Sequence, residues 1–143
     1  MKKPTPKDIE TIAEYLDTGM RAFYNKVIGE TIFLPADDED IEDFGLEEEY
    51  ADSLKKLKDE EDDFVQIHKW TSSEAFKCRE AFADQLTGNP QLQTKLFNAL
   101  NNRKPFSGFR YVIDQEDKYR QQWFDYEANC IYNYVARELR HLE

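Results

Sequence analysis

The chain has 143 residues, a size typical of one domain, and its 40% hydrophobic and 14% aromatic content excludes a wholly disordered protein. The formal net charge of −11 argues against nucleic-acid binding by the whole protein, because phosphate recognition needs a cationic face. No apolar run is long enough for a secretory signal or a membrane span, so we expect a cytoplasmic protein with no membrane partner.

The first third of the chain predicts a helix followed by a β-hairpin. Thr5 suits the N-cap of the helix and Gly19 its C-terminal end. Aromatic and β-branched residues are then concentrated in residues 21–26 and 31–34, which predicts two strands. Gly29 lies between them and can adopt the positive φ that a hairpin turn needs.

The next stretch is predicted to be an acidic connector, a helix and a third strand. Residues 37–43 contain six acidic side chains and predict a solvated connector. Leu46, Tyr50, Leu54 and Leu57 recur at near-helical spacing, which predicts a helix that ends near Lys58. Residues 64–67 form a short apolar run that predicts a strand, with a loop as the alternative.

The C-terminal half reads as helical and rich in aromatic residues. Apolar periodicity, prolines and capping residues predict helices over 74–86, 90–100, 105–113 and 117–141. No linker or internal repeat interrupts the chain, so we expect a single domain over residues 1–143. The predicted fold class is α+β, a small antiparallel sheet from the hairpin and the third strand, packed by a mainly helical C-terminal half.

Three motifs in the C-terminal half carry a family resemblance. They are Leu96-Phe97-Asn98-Ala99-Leu100, then Phe106 with Phe109 and Arg110, and then Trp123-Phe124-Asp125-Tyr126. With the order of the elements, they resemble an uncharacterised bacterial protein family of small acidic proteins, of the UPF type, to which no function is assigned. The resemblance implies a fold and transfers no chemistry.

The negative charge is concentrated in residues 37–63, and this distribution gives the favoured functional hypothesis. The segment holds 15 of the 30 acidic residues and 3 of the 19 basic residues, a local net charge of −12. We therefore expect a non-enzymatic interaction protein whose acidic surface binds a basic protein partner, although the segment could instead only solubilise the chain. The candidate contact residues are Asp37, Asp38, Asp40, Glu47 and Glu48. A calcium loop counted from Asp38 would need glycine at position six, which is Asp43.

Residues 103–111 interleave bases and aromatics and give the alternative hypothesis, a nucleic-acid-associated protein. Arg103, Lys104, Phe106 and Arg110 would make the contacts. The structural interpretation is that both phenylalanines of the segment pin a short helix onto the long one while its bases stay in water. On the long helix, Tyr132 or an edge of Trp123 is a further candidate for partner contact.

The remaining chemistry-bearing residues form no recognisable catalytic or metal-binding set. Cys78 and Cys130 lie within apolar helical patterns, which predicts buried, reduced thiols. His68 lacks ligand partners at metal-binding spacing, which predicts a partly buried structural histidine. An unrecognised enzyme site around His68 with Glu74 or Glu80 is the third hypothesis. We predict no catalytic residue, cofactor or metal, and the oligomeric state stays open.

Overall fold

The computed structural model describes residues 2–142, which form an α+β fold as the sequence predicts. In chain order the elements are α1 (Pro6–Asp17), β1 (Arg21–Asn25), β2 (Thr31–Leu34), α2 (Asp38–Asp43), α3 (Glu47–Asp59), a 3₁₀ turn (Glu61–Asp63), β3 (Phe64–Ile67), α4 (Ser72–Asp84), α5 (Pro90–Leu100), α6 (Pro105–Asp114) and α7 (Asp117–Arg140).

The chain divides into two compact units. Unit 1 combines residues 2–69 with residues 131–142, and unit 2 consists of residues 70–130. Helix α7 therefore contributes its first part to unit 2 and its last part to unit 1. Whether the two units behave as the single domain that the sequence predicts stays a prediction.

Unit 1 contains a three-stranded antiparallel sheet with β1 in the centre. Phe23 is opposite Ile32 of β2 on one side and opposite Gln66 of β3 on the other. The third strand is therefore present, and the loop alternative for residues 64–67 is wrong. Ala22 and Tyr24 alternate with less buried residues along β1, which is the period expected when one face of a sheet covers a core.

The predicted connector at residues 37–43 is wrong, because Asp38–Asp43 forms the short helix α2. The first turn of α2 is acidic, and carboxylates are favourable there because the N-terminus is the positive end of the helix dipole. Ile41 is the single buried residue of α2 and anchors the helix to unit 1. Residues 38–43 therefore form a helix with one buried apolar side chain, Ile41, while most of their carboxylates are in solvent.

The hairpin turn is held by Asn25, a buried polar residue with a relative exposure of 1%. Its Oδ1 accepts hydrogen bonds from the backbone amides of Val27 at 2.9 Å and Ile28 at 3.1 Å. Gly29 has φ of +79°, as predicted, and its amide donates to the Asn25 carbonyl oxygen at 2.8 Å. The turn thus depends on one side-chain oxygen that accepts from two backbone donors.

Replacing Asn25 with alanine should lower the free energy of unfolding by about 2 kcal/mol, since both amides lose their acceptor. Urea unfolding followed by circular dichroism measures the change. Asn98→Ala, at an exposed site on α5, is the matched control and should have little effect. Equal losses in the two variants would show that the turn does not need the Asn25 side chain.

Unit 2 has an aromatic core that joins helix α4, helix α6 and the first part of α7. Trp123 makes edge contacts with Phe82 at 5.3 Å and with Phe109 at 4.8 Å between ring centroids. Phe82 also contacts Tyr126 at 5.4 Å. Leu92 and other buried residues of α5 complete the cluster. The helices predicted from apolar periodicity in this half are confirmed with small shifts in their ends.

Candidate functional site

The exposed carboxylates of α2, α3 and the residues between them form a continuous stretch of unit 1, which we name the acidic surface. Its members are Asp37, Asp38, Glu39, Asp40, Glu42, Asp43, Glu47, Glu48, Glu49 and Asp52. All are exposed except Asp40, which is half-buried. The structure therefore brings all five acidic residues predicted for partner contact onto this surface.

Little of the charge on the acidic surface is neutralised within the chain. Arg21 forms an ion pair with Asp38 at 2.7 Å and also donates to the Pro35 carbonyl oxygen. Lys55 pairs with Asp59, and Lys56 pairs with Glu30, both outside the surface. Between residues 2 and 142, Asp38 is the one member of the acidic surface with an ion-pair partner. The carboxylates face solvent rather than folding inward against bases.

An exposed phenylalanine lies within the acidic surface. Phe44 follows the last residue of α2 and is 73% exposed, while the neighbouring Ile41 is buried. Gly45 has φ of +66° and starts the turn into α3. The sequence interpretation missed Phe44 because a connector has no defined inner and outer face. The signal available was an aromatic residue directly after a run of acids.

The basic–aromatic segment, residues 103–111, lies at the start of α6 in unit 2. Arg103 and Lys104 are exposed, and neither forms an ion pair within the described chain. Phe106 is 37% exposed, and the Arg79 guanidinium lies 4.7 Å from its ring centroid. Tyr111, which the sequence interpretation did not single out, is 73% exposed.

Arg110 is occupied by contacts within the protein. Its guanidinium lies 4.8 Å from the Phe124 ring centroid and donates to the Asp114 carboxylate at 2.8 Å. Arg120 donates to the same Asp114 oxygen at 3.0 Å. The hydrogen bond from Arg110, followed by that from Arg120, lowers the pKa of Asp114 below its usual value. Binding of Arg110 to an external anion would therefore compete with this cluster.

Two residues discussed in the sequence analysis, Trp123 and His68, differ in burial from what the sequence predicted. Trp123 is 2% exposed and fills the core of unit 2, so no edge of its ring is offered to a partner. The large area of the indole ring is covered from several sides at once, by Phe82, Phe109 and Tyr126. His68 is exposed rather than partly buried.

His68 has a structural role through its backbone. The Tyr134 hydroxyl donates to the His68 carbonyl oxygen at 2.6 Å, which satisfies a polar group of an otherwise buried ring. Glu80 is exposed on α4 of unit 2, whereas His68 belongs to unit 1. Over residues 2–142, no group of three or more His, Cys, Asp or Glu side chains is arranged to hold a metal ion.

A cavity of about 350 Å³ lies in unit 1, away from every predicted site residue. Lys3 and Arg140 are among its lining residues, with Ile9 and Leu139 supplying apolar walls. A smaller cavity of about 180 Å³ shares Lys3 and Leu139 with it. These cavities carry a charge opposite in sign to that of the acidic surface.

Comparison with known proteins decides the family. The model of the uncharacterised protein family UPF0158 matches residues 5–141. The chain belongs to this family. The resemblance inferred from the C-terminal motifs is thereby confirmed, and UPF0158 membership brings no activity with it. No curated protein and no solved structure matches the chain. None of the helices between residues 2 and 142 has the length and apolarity needed to cross a bilayer.

Proposed function

We propose that this UPF0158 chain is a non-enzymatic interaction protein whose acidic surface binds a basic protein partner. The observation that carries the proposal is the 73% exposure of Phe44 among carboxylates of which, between residues 2 and 142, only Asp38 has an ion-pair partner. Aromatic side chains are enriched in the buried centres of protein interfaces, and charged residues are depleted there. Polar and charged residues instead form the solvent-accessible rim. Phe44 would be the apolar anchor, and the acidic surface would surround it.

The charge of the acidic surface favours an encounter with a cationic surface. Exposed carboxylates at this density produce a negative potential that acts over about 10 Å at 0.1 M salt. Such a potential raises association rates with a basic partner and repels acidic competitors. The partner suited to this surface exposes lysine or arginine around an apolar depression that accepts one aromatic ring.

The free thiols of Cys78 and Cys130 support a cytoplasmic location as part of this proposal. Neither cysteine forms a disulfide in the structure. Reducing compartments keep thiols in this state, whereas secreted proteins usually pair them. Cell fractionation with an antibody against the chain measures the location, and recovery in an extracellular fraction would contradict it.

A photo-crosslinking amino acid at position 44 tests the proposal directly. Benzoylphenylalanine in place of Phe44 should crosslink the chain to a basic protein in cells, because the probe replaces the exposed ring. The matched control carries the same probe at Tyr111, which is equally exposed but lies outside the acidic surface. Mass spectrometry identifies the crosslinked peptide, which should be rich in lysine or arginine.

Two results would reject the interface. One is the same crosslinked proteins from positions 44 and 111, which would indicate non-specific collision. The other is a position-44 product whose crosslinked peptide is acidic. Phe44→Ala alone should leave the free energy of unfolding within about 0.5 kcal/mol of wild type, because the ring is in solvent. If the probe is moved to a position next to residue 44, a loss of crosslinking in the Phe44→Ala background can then be assigned to lost binding rather than to unfolding.

The exposure of Arg103, Lys104 and Tyr111 favours a second candidate, association with single-stranded nucleic acid. An Arg103→Ala, Lys104→Ala double variant should lose gel-shift binding to single-stranded RNA at low ionic strength. Lys77→Ala, Lys95→Ala removes the same charge from exposed helix positions and serves as the control. No gel shift of the wild-type protein at low salt would remove this candidate.

A further inference from the structure

The two cysteines of unit 2 lie at matching positions on two antiparallel helices, Cys78 on α4 and Cys130 on α7. Phe82 of α4 contacts Tyr126 of α7 at 5.4 Å between ring centroids, and Arg79 pairs with Glu127 at 3.1 Å. Residue numbers fall along α4 as they rise along α7, so the two helices run antiparallel. One helical turn back from Phe82 is Cys78, and one turn on from Tyr126 is Cys130.

The directions of the two thiol pKa values agree with this register. Cys78 is buried in the unit 2 core, whereas Cys130 packs against that core and is partly exposed. Hydrogen bonding with the Cys78 side chain lowers the pKa of Cys130, and hydrogen bonding with Cys130, together with burial, raises the pKa of Cys78. The partly exposed residue of the pair is thus the one that favours the thiolate, while the buried residue keeps its proton.

We propose that Cys130 and Cys78 form a site of intramolecular disulfide formation by a hydroperoxide, in which Cys130 reacts first and Cys78 resolves the product. This inference does not depend on the proposed partner-binding function. Cys130 is partly exposed, which gives a small oxidant access to this residue, and the register of α4 against α7 places Cys78 and Cys130 at matching positions on the two helices. Reactive cysteines are those with thiolate character and access, and redox-sensing ones often have a resolving cysteine nearby.

The reaction balances in two steps. The Cys130 thiolate attacks the terminal oxygen of the hydroperoxide, the O–O bond breaks, and the alkoxide takes a proton and leaves as an alcohol. The sulfenic acid on Cys130 is then attacked by the Cys78 sulfur. The S–OH bond breaks, and hydroxide leaves as water with the Cys78 proton. The two sulfurs together lose two electrons, and the peroxide gains them.

Hydrogen peroxide is the probe for the test. The reduced full chain is treated with it, quenched in acid, unfolded and alkylated, so that buried and exposed thiols are counted alike. The expected product is a monomer that has lost the mass of two hydrogen atoms and takes up no alkylating reagent. Thiol reduction should restore both alkylation sites.

The single serine variants separate the two roles. Cys78→Ser should stop at a sulfenic acid on Cys130 that dimedone captures, whereas Cys130→Ser should keep an unreacted Cys78. A circular dichroism spectrum like that of wild type shows that each variant is folded. The proposal is overturned by a disulfide-linked dimer in place of the monomeric product, or by over-oxidation of Cys130 with Cys78 still reduced. Two alkylatable thiols after treatment would overturn it as well.

Discussion

Replacing Trp123 with alanine is expected to lower the free energy of unfolding by about 3–5 kcal/mol, the range for aromatic truncation in a core. The indole contacts the rings of Phe82 and Phe109, and the Arg79 guanidinium lies 5.1 Å from its centroid. Removing it deletes the largest fully buried side chain and leaves a cavity that close-packed neighbours cannot refill. Urea unfolding followed by circular dichroism measures the loss.

The control for Trp123→Ala is Tyr111→Ala, an aromatic truncation at a site that is 73% exposed. That variant should change the free energy of unfolding by no more than about 0.5 kcal/mol. Trp123→Phe should lie between the two, because a smaller ring keeps part of the packing. A Trp123→Ala loss as small as that of Tyr111→Ala would mean that the aromatic cluster of unit 2 contributes little to folding.

Neutralising part of the acidic surface should slow association with the partner crosslinked at position 44 by about tenfold at low salt. The variant carries Asp37→Asn, Asp40→Asn, Glu47→Gln and Glu48→Gln. These changes keep side-chain size and remove charge, so the long-range attraction falls while the contact area around Phe44 stays the same. Surface plasmon resonance at several salt concentrations gives the association rate constant.

The matched control removes the same number and kind of charges from other exposed sites. It carries Glu14→Gln, Asp17→Asn, Glu80→Gln and Asp84→Asn. Because its net charge equals that of the first variant, any difference between them reports position rather than total charge. The two should converge at about 1 M salt, where the Debye length is near 3 Å. Equal slowing in both at low salt would reject the acidic surface as the binding site.

Most of the fold could be predicted from the sequence because its elements have local signals. Thr5 caps α1 as expected, with its hydroxyl oxygen accepting from the Asp8 amide at 3.1 Å. Gly29 allowed the hairpin turn to be located, and apolar spacing gave the four C-terminal helices. Helix α2 was missed because it has six residues and a single apolar anchor, Ile41, which is too little for a periodic pattern.

The sites were less predictable because they depend on which side of an element meets the core. Trp123 was a candidate for partner contact, but Phe82 of α4 and Phe109 of α6 make edge contacts with its ring and help to bury it. Phe44 became visible only when α2 was known to end beside it. The pairing of Cys78 with Cys130 depends on the register of α4 against α7, which spacing along one chain does not encode.

Because unit 1 is built from two ranges of the chain separated by unit 2, its parts are synthesised at different times. Residues 131–142 supply its buried Ile131, Val135 and Leu139, yet they leave the ribosome after all of residues 70–130. Unit 2 is one continuous range, so all of its residues have emerged before residue 131 does. Until residues 131–142 emerge, unit 1 lacks these three buried apolar side chains. A ribosome that pauses once residue 130 has emerged would therefore leave unit 1, which carries the acidic surface, without these three side chains.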